Sequence, residues 1–592
     1  MQHSVILQYP QTNEWWYFCT PTEVIVALDL AAVPRALQSV EAKLQAGYYV
    51  AGFISYEAAA AFDTALQTHT ADDFPLLWFG IYRQPQRLDT AAILELQPHQ
   101  RYNLGRWQPK IQKQEFEQAI ARIKTYIAQG DTYQVNYTFR LAADFTGYAW
   151  SLFRDLLATQ PRSYAAFVDT GRYAISSISP ELFFQQVGSQ VIAKPMKGTT
   201  QRGKTWLHDQ QQVSWLQHSE KNQAENLMIV DMLRNDLSRI AQPHSVQVPK
   251  LFEIERYPTL LQMTSTVMAK TQASPTELLR HLFPCASITG APKVRTMQII
   301  NELEPDPRHI YTGAIGCFAP TNPLKGQPLV PTQFNVAIRT VLIDREKAIA
   351  EYGVGSGVVW DSDSEQEYQE CLTKTEVLQH PMPSFALLET LRWTPQGGFF
   401  LLAEHLRRLH DSAQYFEVVY DAIALQEQLQ VLQTNLEQAS RIRILLNRAG
   451  QFKIEVALLT PASDRIVRLC IAPAPIDPED IFLYHKTTQR QVYEQAKQYA
   501  QSQGVDDAVL WNPQGQITET AIANIMVQYQ GEWLTPPVEC GLLGGTYRAW
   551  LLAAGKVQEQ VVTLEMLSQS EQICRLNSVR GSEPAQLTPV NA

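Results

Sequence analysis

The chain of 592 residues is too long for one hydrophobic core, so two or more domains are expected. Its 45% hydrophobic and 18% charged residues are those of an ordinary globular protein, and a net charge of -10 argues against nucleic acid as a partner, since phosphate neutralisation needs clustered Lys and Arg. No apolar run reaches membrane-spanning length, the N-terminus lacks a basic stretch before a long apolar core, and the seven cysteines show no ligand spacing, so reduced thiols, no membrane and a cytoplasmic location are expected.

In the first part of the chain, "FEQAIARIKTYIAQG" has helical periodicity, and "YAAFVDT", "ELFFQQV" and "QVIAKPM" read as strands. The last runs into "AKPMKGTTQ", where Lys197 stands between a Pro-Met pair and Gly198-Thr199; taken alone it is a solvated loop charge. The helical "AENLMIVDMLRNDLSRI" puts Glu225 on the stripe of Ile229, Met232 and Leu233, facing inward, with a helix-start acid favoured by the macrodipole as the plainer alternative. "SITGAPK" is a Gly-containing loop entering a helix, where backbone N–H groups can meet a carboxylate. In "GVGSGVVWDSDSEQEYQECLTKTEVL" the glycines allow close backbone approach. Glu367, Glu370 and Lys374 then share a helix face, for which a Glu370–Lys374 surface ion pair is the plain explanation. Two inward carboxylates on separate helices, Glu225 and Glu370, would suit Mg²⁺.

A seam follows at "QHPMPS", where two prolines separate a charged segment from the strand-like "FALLETLRW". The expected division is residues 1–378, a linker at 379–384, and a second domain over 385–592. In the second part "RIRILLN" and "FKIEVALL" read as strands, "QVYEQAKQYAQSQG" as a helix with a Gly stop, and "DDAVLWNPQGQITET" as a hairpin; both parts mix α and β.

In this order, "GDTYQVNYT", "SPELF", "KPMKGT", "AENLMIVDMLRNDLSRIA", "SITGAPKVRTMQII", "YTGAIG" and "DSDSEQEYQECLTK" resemble the chorismate-utilising enzymes over roughly residues 45 to 378. The resemblance implies an α/β (α+β) sandwich of mainly antiparallel sheets around a Mg²⁺-dependent chorismate site. It implies Glu225 and Glu370 as metal ligands with Glu367 and Lys374 beside them, and Glu181 as general acid/base. Gly198, Thr199, Tyr311, Arg339, Gly355, Ser356 and Gly357 are implied as contacts to chorismate. Anthranilate synthases carry Ala at the position of Lys197, and the aminodeoxychorismate synthase branch carries Lys, which implies a covalent adduct at C2 of chorismate. An unprotonated amine is needed for that attack, so its pKa should be lowered.

The C-terminal part, with "EHLRRL", "HKTTQR", "GQITETAIANI" and "GLLGGTYR", resembles the fold-type-IV pyridoxal-phosphate enzymes, which include aminotransferases and 4-amino-4-deoxychorismate lyases. The resemblance implies pyridoxal 5'-phosphate with Lys486 as the Schiff-base lysine, Glu519 at the pyridine nitrogen, Arg408, Gly545 and Thr546 at the phosphate, and Asn524 supporting Glu519. The phosphate loop reads Gly545-Thr546-Tyr547-Arg548 where the family usually has Gly-x-Thr-Arg, so the hydroxyl donor is shifted by one residue.

Together the two resemblances imply 4-aminobenzoate synthesis from chorismate. No Gly-x-Cys-x-Gly elbow is present, so ammonia is expected from solution or from a separate glutamine amidotransferase subunit. The alternatives are anthranilate or isochorismate synthesis in the first domain and an aminotransferase or a silent dimerisation module in the second; a homodimer through that domain is compatible with the sequence.

Overall fold

The structure is a computed structural model and describes residues 2–588 apart from 71, 161–162, 324–329, 376–377, 379–382 and 461–464. The chain separates into two compact units, one of residues 1–201 and 213–382, the other of residues 202–212 and 383–592. Most of the expected linker, 379–382, lies outside the described residues.

The first unit is a four-layer sandwich. Its described strands form an eleven-stranded and a ten-stranded sheet. A core of inward side chains, among them Val5, Leu7, Phe53, Trp78, Val168 and Ile175, fills the space between the sheets. The outer face of the eleven-stranded sheet is covered by helices including Lys113–Ala128 and Ala149–Thr159, through Phe116, Ile120, Trp150 and Phe153. The ten-stranded sheet is covered by helices including Ala32–Gln45 and Glu220–Ser238, through Leu37, Val40, Val230 and Leu233. The helix at 220 starts where Ser219 caps it, its hydroxyl accepting from the Asn222 backbone.

Two sequence features position the site in this unit. Strand Ile349–Val358 pairs antiparallel with Gln134–Gly147, setting Gly357 against Asn136, Gly355 against Thr138 and Gly353 against Arg140. Strand Met196–Gln201 pairs with Leu260–Lys270 and carries a register irregularity between Met196 and Thr199. Lys197 and Gly198 occupy that irregularity, with Gly198 at φ +95.

The second unit holds a four-stranded antiparallel sheet, including Leu387–Thr394 and Ser440–Leu446, and a mixed eight-stranded sheet. The expected hairpin is present as Asp507–Trp511 and Ile517–Thr520. Among the described residues no helix is long and apolar enough to cross a membrane, and all seven cysteines are free thiols.

Candidate functional site

The first unit contains a cavity of about 460 Å³. Lys197, Gly198, Thr199, Glu181, Glu225, Tyr311, Arg339, Gly355, Gly357, Glu367, Glu370 and Lys374 all line it. Glu181 and Lys197 lie 16 positions apart, and Lys197 and Glu370 lie 173 apart, so the fold brings together what the sequence keeps apart.

Lys197 is weakened as a base by burial, an effect that Glu225, Glu370 and Glu181 oppose and Lys374 assists. Its backbone carbonyl accepts from Asn226 Nδ2 at 3.3 Å, and the Gly198 carbonyl accepts from Gln262 Nε2 at 2.9 Å. Thr199 Oγ1 donates to Gln262 Oε1 at 3.1 Å. Gly357 leaves room for the amine: a Cβ there would lie 2.5 Å from Lys197 Nζ and would push it aside. Gly353 is constrained likewise, its absent Cβ taking the place of the Tyr311 ring.

Glu181 is 2% exposed, and burial pushes its carboxyl up to about 7. Its hydroxyl partner is Ser287, which donates to Oε1 at 2.6 Å. Ser287 belongs to the "SITGAPK" loop, whose motif points to its backbone N–H groups and not to this hydroxyl. Arg339, at φ +50, donates to Gln160 Oε1 at 2.6 Å and is lowered by burial. Tyr311 is pushed up to about 12 by burial, with the Arg140 guanidinium 4.9 Å from its ring.

Glu370 and Lys374 are paired as the plain explanation has it, but not on an open surface. They form an ion pair at 2.7 Å, and that pair lines the cavity. Lys374 also donates to the Gly355 carbonyl at 2.8 Å, tying the helix Ser364–Thr373 to the glycine strand. Burial acts against the Lys374 ammonium, but Glu370 and Cys371 outweigh it and raise its pKa. Glu370 is held below the ordinary range by Lys374, whereas Glu225 is raised by burial. Glu367 accepts from the Ser362 hydroxyl at 2.6 Å. Ser356 departs from expectation: side chains alternate along a strand, so Gly355 and Gly357 face the cavity while Ser356 turns to the Cys371 thiol.

Among the described residues there is no cluster of three or more His, Cys, Asp or Glu set to hold a metal. Mg²⁺ does not demand one, since one or two carboxylates with water and substrate oxygens suffice. Glu225 and Glu370 facing one cavity fit that need, and the raised Glu225 carboxyl is a group a cation would stabilise.

The second unit contains a cavity of about 760 Å³ lined by Lys486, Glu519, Arg408, Asn524, Gly545 and Thr546. Lys486 is lowered to about 8, by burial first and then by Arg408 and Arg490. Glu519, pushed up to about 7 by burial, accepts from Tyr493 Oη at 2.7 Å, the Leu543 backbone at 3.0 Å and Asn524 Nδ2 at 3.2 Å. All three donors are neutral, which leaves room for a protonated ring nitrogen as its charge partner. Gly545 cannot be replaced without a collision, because a Cβ would sit 1.8 Å from Asn524 Oδ1. Arg408 makes two 2.8 Å bonds to Glu389, which also accepts from or shares a proton with His405 Nδ1 at 2.6 Å. Burial favours the protonated Glu389, yet Arg408 and His405 hold it to about 2. His405 Nε2 in turn lies 3.3 Å from Thr546 Oγ1. Glu389 and His405 were not singled out by motif; they fix the two groups assigned to the phosphate. Arg548 of the same loop points elsewhere, to the Pro536 carbonyl at 2.6 Å and to Glu559. These residues fit pyridoxal phosphate.

Residues 5–380 match the family described as chorismate binding enzyme. The chain belongs to that family. Residues 386–587 match the amino-transferase class IV family, so the second unit carries a domain of the pyridoxal-phosphate type. Aminodeoxychorismate synthase component 1 of Salmonella typhimurium is 38% identical over 278 residues, covering 47% of this chain and 59% of that protein. The protein of the same description from Bacillus subtilis is 37% identical over 269 residues, covering 45% and 55%. The chain thus spans little more than half the length of these relatives. The crystal structure of anthranilate synthase component I from Streptococcus pneumoniae TIGR4 superposes with a TM-score of 0.53 at 23% identity, over 64% of this chain and 92% of that one, a likeness of fold.

Proposed function

We propose that the chain makes 4-aminobenzoate in two consecutive reactions, amination of chorismate to 4-amino-4-deoxychorismate in the first unit and release of pyruvate from that product in the second. The observation that carries this reading is the setting of Lys197: an amine weakened by burial shares a cavity with Glu181, a buried carboxyl that keeps its proton close to neutral pH. The kinship with proteins described as aminodeoxychorismate synthase component 1 supports the same choice.

In the first reaction, unprotonated Lys197 adds at C2 of chorismate, both ring double bonds shift by one position, and Glu181 gives its proton to the departing 4-hydroxyl, which leaves as water. Ammonia then adds at C4, both double bonds shift back, the bond from C2 to Lys197 breaks, and the proton shed by the new C4 amine returns to Glu181. One ammonia is consumed and one water released. Ser287 aims the acidic proton, Arg339 and the backbone of Gly355 and Gly357 face the substrate, and Lys374 fixes the glycine strand. Glu225 and Glu370, with Glu367 beside them, would hold Mg²⁺, whose charge neutralises a substrate carboxylate. The proposed ammonia source is a separate glutamine amidotransferase subunit, and the proposed location the cytoplasm.

In the second reaction pyridoxal phosphate, once bound, supplies an electron sink. Lys486, with a pKa lowered to about 8, is suited both to carry the cofactor and to take the C4 proton of the substrate. Glu519 holds the proton of the ring nitrogen, Asn524 steadies Glu519, and Arg408 with Gly545 and Thr546 takes the phosphate.

The test supplies chorismate, Mg²⁺ and an ammonium salt and identifies products by chromatography. Native protein should release 4-aminobenzoate, and Lys197→Ala should lose aminodeoxychorismate formation by about 100-fold or more while remaining folded. Undiminished synthesis by the variant would exclude Lys197 as nucleophile.

A further inference from the structure

The second unit is discontinuous in sequence, and its short piece, residues 202–212, is more than packing. Arg202 and Asp209 form an ion pair within it whose side chains are 7% and 0% exposed. Nε donates to Oδ1 at 2.6 Å and Nη2 to Oδ2 at 3.1 Å. The Gly203 backbone donates to the same carboxylate at 3.1 Å, and a Cβ at Gly203 would come within 2.1 Å of the Asp209 nitrogen, so a side chain there would open the loop.

Arg202 also engages elements around Lys486. Nη2 also donates to the Tyr415 carbonyl at 2.9 Å, and the guanidinium lies 4.2 Å over the Tyr415 ring. That ring sits 4.4 Å from the imidazole of His485, the residue preceding Lys486. His485 shares a 2.9 Å hydrogen bond with Ser412, and burial, reinforced by the nearby Arg202 charge, lowers it to about 3, so the ring is a neutral spacer. Lys204 adds bonds to the Pro478 carbonyl at 3.0 Å and to Glu479 at 2.7 Å.

A buried ion pair is a weak source of stability, because desolvating two charges offsets their attraction; its best-attested value is in fixing one geometry. We propose that Arg202, oriented by Asp209, is a positioning residue of the second cavity, fixing Tyr415 and His485 and through them the direction of Lys486. The proposal rests on the reading of Lys486 as the cofactor-bearing lysine.

The test uses the full chain with both charges removed together, Arg202→Met with Asp209→Leu, so that no lone charge is left buried, alongside Arg202→Lys. Circular dichroism establishes folding, absorbance titration gives the pyridoxal-phosphate Kd, and the pH dependence of the bound cofactor's visible band gives its apparent pKa. The folded double variant should bind the cofactor at least tenfold more weakly and show a shifted band pKa, Arg202→Lys should lie between it and native protein, and ammonia-dependent chorismate consumption should stay within about twofold. A folded double variant with native Kd and band pKa overturns the proposal, as does an equal loss in both reactions. If the double variant does not fold, Arg202→Lys decides by the same two readouts. Failure of the lyase reading itself would appear instead as native protein that binds cofactor normally yet releases no 4-aminobenzoate.

Discussion

Lys197 and Lys486 are both weakened as bases by burial, but their neighbours divide them. Around Lys486 the cations Arg408 and Arg490 add to burial and bring it to about 8, so that roughly half is free amine at that pH, against well under 1% for an unperturbed lysine. Around Lys197 three carboxylates resist the effect, so its chemistry depends on how those carboxylates are occupied. Glu181 supplies a pH signature. Burial pushes its carboxyl up to about 7, above the ordinary value, and the proposed reaction uses the protonated form, so activity should be present below about pH 7 and lost above it. The expected profile of the first reaction, corrected for free ammonia, falls roughly tenfold per pH unit above about 7; a profile still rising at pH 9 would remove Glu181 from the acid role. Both residues were legible in the sequence through their motifs. Ser287 was not, because its bond to Glu181 joins positions 106 apart and a lone serine in a glycine loop carries no signal of its own.

The glycine strand Ile349–Val358 and the helix Ser364–Thr373 work as a pair. The strand lets Lys197 and the Tyr311 ring occupy space that side chains would fill, and Lys374 pins the two elements together. Gly357→Ala should therefore cost the first reaction about 100-fold by displacing Nζ, with 4-aminobenzoate release from supplied aminodeoxychorismate unchanged. The two helices bearing Glu225 and Glu370 predict a metal phenotype. Glu225→Gln and Glu370→Gln should each raise the Mg²⁺ concentration for half-maximal activity by at least about tenfold in the first reaction alone, and a native Mg²⁺ response in both would refute the ligand assignment. Periodicity gave these elements away: the helices at 113, 220 and 491 and the strands at 164, 182, 387 and 440 all form where their patterns place them. The two-residue alternation of a strand also contained the answer for Ser356, which cannot face the side that Gly355 and Gly357 face. What periodicity could not reach is the pairing of Arg408 with Glu389 and His405, which arises only when a strand, a helix and a loop converge.

At the scale of the molecule, each unit carries its own cavity, so the two reactions should be separable by single substitutions. Lys486→Ala should consume chorismate and ammonia at a rate within about twofold of native protein while aminodeoxychorismate accumulates, and a separately added aminodeoxychorismate lyase should restore 4-aminobenzoate. Native protein accumulating the intermediate equally fast would show that the second unit is not the lyase. The family matches end at 380 and resume at 386, yet the compact units do not divide there alone, since residues 202–212 group with the second. During synthesis Arg202 therefore leaves the ribosome about 280 residues ahead of His485. At translation rates of roughly 5–20 residues per second, that is an interval on the order of 15–60 s in which a segment destined for burial waits in water beside the sheets that flank it in sequence. The second unit cannot close until its last residues arrive, which makes the order of folding, and not only the final contacts, a property written into this chain.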